Sequence, residues 1–208
     1  MNFILTVTDW LKSQSLLEVS GVISGILCVY LAAKNNIWSW PLAIISVSIY
    51  TIIFFEEKLY ADTGLQIYFL FTNIYGWYFW SRKSSAENKT PVTFASKKLI
   101  LLSIVSILLF TFLLGTFLIK STDASFPFID SFCTACSLVA QFFLARKIIE
   151  NWLIWIFVDI IYVGVYLMKD LHLTAGMYAL YIFIAAMGYI NWKRDYNQSE
   201  LSNKTRPL

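Results

Sequence analysis

One carboxylate, Asp159, falls in the middle of an otherwise apolar stretch spanning residues 150–168. Trp152, Trp155, Tyr162 and Tyr166 lie three or four positions apart around it, so a helix would gather all five on one stripe. An ionisable side chain deep in apolar surroundings is expensive and is retained for function. A comparable stripe, Gln66, Asn73 and Trp77, with Tyr68 and Tyr75 to either side, lies within residues 62–80, and another stretch adds Ser137 and Gln141. The chemistry suited to this set is recognition. A Trp face holds a cation for about 0.5 to 2 kcal/mol, and amides read the hydroxyls of a ribose-like group. An enzyme would need a second titratable group at the depth of Asp159, and the sequence offers none.

Each of these residues also has a structural role open to it. Asn73 and Gln141 suit hydrogen-bond glue between helices, and Asp159 suits a buried partner for a Tyr or an amide. Trp38, Trp40, Trp80 and Trp192 lie near the ends of apolar stretches and read as interface anchors. Trp152 is close to an end as well and fits either role. Cys133 and Cys136 form a C-x-x-C inside an apolar helix, where small packing residues are expected. The single histidine, His172, excludes bis-His haem ligation. Neither a metal nor a cofactor is expected, and no Walker, G-x-S-x-G or H-E-x-x-H motif occurs.

The elements that must position these residues are set by the solvent. Of 208 residues 58% are hydrophobic and only 14% charged, more apolar surface than a soluble domain of this size can hide. About 20 apolar residues cross a bilayer as a helix, and seven such stretches are predicted: 17–34, 37–55, 62–80, 99–119, 126–146, 150–168 and 172–192. The chain reads as an all-α, multi-pass membrane protein. Residues 1–16 lack a basic start and a small-residue cleavage site, and are expected to form a short interfacial segment rather than a signal peptide.

Lys and Arg then set the orientation. Loops after the odd-numbered spans carry twelve of them (Lys34, Arg82, Lys83, Lys89, Lys97, Lys98, Arg146, Lys147, Lys193, Arg194, Lys204 and Arg206). The other side carries four: Lys12, Lys58, Lys120 and Lys169. The N-terminus is expected outside and the C-terminus in the cytoplasm, in a cell inner membrane. The net charge of +3 reflects this bias and implies no nucleic-acid partner.

The sequence also repeats itself. Asn36-Ile-Trp-Ser-Trp40 recurs as Asn151-Trp-Leu-Ile-Trp155, Leu31-Ala-Ala-Lys34 as Leu144-Ala-Arg-Lys147, and Gly64, Gly76 and Trp80 as Gly176, Gly188 and Trp192. The spacing runs from 112 to 115 residues. Three spans invert their own ends, so one extra crossing restores the second copy to the orientation of the first. The expected architecture is therefore 3+1+3: two parallel three-helix bundles joined by a linker helix, as in the sugar-transporting SWEET proteins. The expected segments are 17–81 for the first bundle, 82–120 for the cytoplasmic linker and connecting helix, 121–193 for the second bundle and 194–208 for a cytoplasmic tail. The connecting helix, nearly pure Leu, Ile, Phe and Val, is expected to face lipid. Gly21 and Gly25 form a G-x-x-x-G that suits close helix packing.

Several motifs resemble one family. Leu59-Tyr-Ala-Asp62, Leu65-Gln66 and Asn73-Ile-Tyr-Gly-Trp-Tyr-Phe-Trp80 resemble the third span of the PnuC nicotinamide riboside transporters. Phe126-Pro-Phe-Ile-Asp-Ser131 and Glu150-Asn-Trp-Leu-Ile-Trp155 resemble the openings of that family's fifth and sixth spans. The likeness runs from about residue 17 to 193. It implies a SWEET-like fold and uptake of a cationic heterocyclic vitamin precursor, nicotinamide riboside first, by facilitated diffusion with trapping by a cytoplasmic kinase. It also places the family's W-x-x-W-x-x-x-N/D pattern at Trp152, Trp155 and Asp159, and supports Gln66, Asn73, Trp77 and Gln141 as pocket residues, with Tyr162 one turn beyond. Some riboside transporters carry Asn where this chain has Asp159, and relatives carry thiamine or riboflavin. A carboxylate suits a pyridinium or a thiazolium equally.

The resulting expectation is a ring held between aromatic faces where the bundles meet, exposed alternately as one bundle rocks, with Pro41, Gly164 and Gly176 as flex points. A SWEET-type sugar permease is the more distant alternative, disfavoured by Asp159 and the tryptophans. A homo-oligomer is compatible with the sequence.

Overall fold

Each apolar stretch ends where the sequence lets the backbone turn back on itself. Asn35, Lys147 and Asp170 take left-handed backbone conformations (φ 52°, 55° and 56°) just past three helix ends. Behind them the N–H groups of Asn36, Ile148 and Leu171 return to the carbonyls of Leu31, Phe143 and Tyr166, each at 2.9 Å. This is the Schellman pattern, which satisfies carbonyls the helix would otherwise leave bare. The computed structural model describes residues 16–56, 60–82, 90–122 and 126–205. The interfacial segment expected over 1–16 lies, except for its last residue, outside them.

Among the described residues the chain forms seven helices: α1 (Leu16–Ala33), α2 (Ser39–Glu56), α3 (Tyr60–Ser81), α4 (Lys97–Ser121), α5 (Pro127–Ala145), α6 (Glu150–Met168) and α7 (His172–Thr205). All seven predicted stretches find their helix. Five of the helices are long and apolar enough to cross a membrane: α2, α4, α5, α6, and α7 over Thr174–Ser202. The apolar part of α1, Val19–Ala33, is shorter. Thr63, Gln66, Thr72 and Asn73 make α3 more polar than the rest. The expected tail from 194 is instead helical through residue 205, because Lys, Arg, Gln and Glu sustain a helix and no Pro or Gly interrupts before Pro207.

The chain divides into two compact units, Met1–Lys89 and Thr90–Leu208. The connecting helix α4 is therefore grouped with α5–α7 in the second.

In the first unit α2 packs against both α1 and α3. Gly21 lets α2 approach closely: a Cβ there would meet the Tyr50 ring at 3.2 Å, and Ser46 Oγ donates to the Gly21 carbonyl at 3.0 Å. Against α3, the Trp40 ring lies where a side chain at Gly76 would be, and meets Trp80 edge-on with centroids 5.1 Å apart. In the second unit α6 packs against α5 and α7, and α4 packs against α5. Only Gly115 of α4 is buried, with Phe128 filling the place of its absent side chain.

The second unit repeats the first in one constant register. Trp152 of α6 lies over Gly188 of α7, where a Cβ would sit 2.7 Å from its ring, and meets Trp192 edge-on at 5.4 Å. Trp40, Gly76 and Trp80 stand 112 residues before these three, as Asn35 stands before Lys147 and Ala33 before Ala145. The structural counterpart of Trp40 is thus Trp152 and not Trp155, and the slip to 115 residues suggested by the tryptophan-rich segments disappears.

The second unit adds a strap. Thr93 donates to the Lys147 carbonyl at 2.9 Å and accepts from Ile149 N–H at 3.0 Å. Ala95 N–H donates to both carboxylate oxygens of Glu150 at 3.1 and 3.2 Å. Phe94 packs edge-on against Tyr196 at 4.9 Å. In the first unit Asn36 caps its own loop instead, its Oδ1 accepting from Trp38 N–H at 3.0 Å. Hydrogen bonds to charged groups are worth about 1.5 to 3 kcal/mol. Glu150→Ala is therefore expected to lower the thermal midpoint of the purified protein by an amount matching about 1.5 kcal/mol, and Glu150→Gln by less. An unchanged midpoint in both would remove the strap from the stability of this end.

Candidate solute-binding site

The polar groups of the second unit line up because two helices present matching stripes. On α5, Asp130, Cys133, Ser137 and Gln141 recur at spacings of three and four, and the last three are buried. On α6, Trp155, Asp159, Tyr162 and Tyr166 do the same. The stripes face each other: Cys133, Cys136 and Val158 form a buried cluster with Tyr162 and Ile154 packed against it.

Asp159 is the central residue of the 19-residue α6 and is only 5% exposed. It forms no hydrogen bond or ion pair with any described residue. Its electrostatic neighbours are Cys133, Tyr162 and Tyr178. A buried carboxylate without a partner is costly in a finished fold, so the position favours a group supplied from outside the chain, and a cation most of all.

Beside Asp159, toward the turn between α6 and α7, three tyrosine rings close together. Tyr162 and Tyr178 have centroids 5.0 Å apart, Tyr166 and Tyr178 stack at 5.2 Å with planes 20° apart, and Tyr162 and Tyr166 lie 5.9 Å apart. Tyr181 adds a fourth ring edge-on to Tyr178 at 6.1 Å. Aromatic faces next to a carboxylate give an aromatic cation both stacking and charge compensation.

The residues expected from the sequence separate by unit. Gln141, Trp152, Trp155, Asp159 and Tyr162 belong to the second, and Gln66, Asn73 and Trp77 to α3 of the first. The structure brings Asp159 and Tyr162 together with Tyr166. Gln141 is buried further along the same α5 stripe, and Trp155 is partly buried on α6. Asn73 is buried in the first unit, Gln66 is partly buried, and Trp77 is 43% exposed. Trp152 lies two turns from Asp159, about 10 Å along the helix, and is 1% exposed against Gly188 and Trp192. It acts there as a packing wedge. Trp40, Trp80 and Trp192 are likewise buried rather than placed at the surface as interface anchors, while Trp38 remains exposed.

Tyr178 was not among the expected residues. Two signals point to it: it stands 112 residues after Gln66, in the same register of the repeat, and it is followed three positions later by Tyr181.

Comparison with known proteins agrees with this arrangement. The family model described as nicotinamide mononucleotide transporter matches residues 15–194. The chain is 34% identical over 218 residues to the nicotinamide riboside transporter PnuC of Escherichia coli (strain K12), covering 91% of each. It is 24% identical to the riboflavin/roseoflavin transporter RibM of Streptomyces davaonensis, covering 88% of this chain and 92% of that one. The crystal structure of the vitamin B3 transporter PnuC superposes with a TM-score of 0.72 at 23% identity, over 94% of this chain and 88% of that one, and establishes the fold. With a match that enters at α1 and continues into α7, through both tryptophan–glycine wedges and the buried carboxylate, the chain belongs to the nicotinamide mononucleotide transporter family.

Proposed function

We propose that this membrane protein carries nicotinamide riboside into the cell by facilitated diffusion. The observation that supports this most is the unpartnered carboxylate of Asp159 beside the stacked tyrosines, which suits a flat heterocyclic cation. The pyridinium ring would lie against Tyr162 with its charge toward Asp159. Gln66, Asn73 and Trp77 on α3 and Gln141 and Trp155 on α5 and α6 are the proposed readers of the ribose and the carboxamide. A phosphorylated mononucleotide would bring an anion toward the same carboxylate, so the riboside is favoured over the mononucleotide named in the family description. Phosphorylation by a cytoplasmic kinase would then trap the substrate, because the product is repelled where the riboside is held.

In this reading the protein lies in the inner membrane with the α6–α7 turn outside and the end of α7 in the cytoplasm, following the bias of Lys and Arg. Thiamine remains the second reading, because its thiazolium satisfies the same carboxylate. Riboflavin is neutral at its ring and makes no use of Asp159.

Calorimetric titration of the purified protein with nicotinamide riboside, thiamine and riboflavin decides among them. Tight binding of the riboside alone is expected. Tight binding of thiamine alone keeps the site and reassigns the substrate, and preference for riboflavin removes the argument from charge.

A further inference from the structure

The tyrosine stack has a second carboxylate at its far side. Asp130, in the first turn of α5, is only partly buried and is an electrostatic neighbour of Tyr162, Cys133 and Lys169. Lys169, just past the end of α6, lies over the Phe126 ring at 5.8 Å, which keeps its ammonium at the rim. The order from the α6–α7 end inward is thus Asp130, then the rings of Tyr166, Tyr178 and Tyr162, then the buried and unpartnered Asp159. Negative charge stands at both ends of a short aromatic lane, within the second unit alone.

We propose that this lane is the access path of the aromatic cation, with Asp130 as the outer capture point and Tyr178 as a selectivity residue through its ring face. The proposal rests on the reading of the substrate as a heterocyclic cation. A half-exposed carboxylate at the rim attracts such a cation before it binds, raising the association rate more than the final affinity. Ring faces then pass the charge inward without a hydrogen-bond trap, since aromatic π-faces attract cations over a broad range of positions. Lys169 at the rim disfavours a second cation directly behind the first and repels inorganic cations that gain nothing from the rings. The repeat explains why one unit alone has this lane: Asp159 corresponds to Val47, Tyr166 to Phe54 and Tyr178 to Gln66.

Two measurements test it: initial uptake of labelled nicotinamide riboside by cells making the protein, and equilibrium affinity of the purified protein. Asp130→Asn is expected to lower kcat/KM for uptake roughly tenfold at low ionic strength, with the dissociation constant nearly unchanged. Uptake of reduced nicotinamide riboside, whose dihydropyridine ring carries no charge, should be unaffected. Tyr178→Leu is expected to lower riboside uptake by between about twofold and thirtyfold, whereas Tyr178→Phe, which keeps the ring, stays near wild type. Unaltered riboside uptake in Asp130→Asn and Tyr178→Leu would overturn the lane while leaving the substrate assignment standing. Equal losses for charged and uncharged ribosides, or a Tyr178→Phe variant as poor as Tyr178→Leu, would also overturn it. Failure of the wild type to take up or bind the riboside would overturn the functional reading itself.

Discussion

Replacing Asp159 with alanine is expected to weaken nicotinamide riboside binding by more than about a hundredfold, with the protein folding and purifying as before. Removing one member of a buried charge pair costs about 3 to 5 kcal/mol, and every 1.4 kcal/mol is about tenfold in affinity. The loss falls on the complex, where the pyridinium would be left buried and uncompensated. The empty protein loses little, because Asp159 makes no hydrogen bond or ion pair with a described residue that its removal could orphan. Asp159→Asn should fall in between, since the amide retains a dipole and the volume. Wild-type affinity in the alanine variant, measured by titration calorimetry, would refute the role assigned to this carboxylate. Loss of the folded protein would instead make Asp159 a structural group.

The second large effect concerns stability. Trp152→Ala is expected to destabilise the second unit by about 3 kcal/mol, the lower end of the range for deleting a buried Trp, because packing rather than water exclusion joins helices in a bilayer. Gly188→Val should do comparable harm by overpacking: even a Cβ at that position falls 2.7 Å from the Trp152 ring. Because the indole and the valine would compete for one space, the double variant should recover part of the loss instead of summing both. Thermal unfolding of the purified variants checks this. A midpoint unchanged by Trp152→Ala, with riboside affinity alone reduced, would return Trp152 to the binding residues.

The helices were legible because span length and apolarity are large, redundant signals. The end of α7 was not, because a change from apolar to charged marks where a membrane ends and not where a helix ends. The repeat was visible, but matching tryptophans to tryptophans placed Trp40 against Trp155. The backbone corrects the register through Asn35 and Lys147, which share one conformation at 112 residues' separation. The wedge tryptophans were misread for a related reason. A Trp near the end of a span looks the same in sequence whether it faces lipid headgroups or a neighbouring helix. The informative sign was the glycine four residues before Trp80 and Trp192, on the same helical face, which clears room for a ring from the preceding helix. Asp159 stood out because its cost in apolar surroundings is high. Tyr178 was hidden among twelve tyrosines, where residue type says little until the rings are seen to stack.

The central claim is that a carboxylate at the middle of α6 recognises positive charge. The most direct test is the ratio of affinities for nicotinamide riboside and its uncharged reduced form, in wild type and in Asp159→Asn. The account predicts that the wild type prefers the cation by at least about tenfold and that Asp159→Asn loses most of that preference. The same preference in both proteins would contradict it.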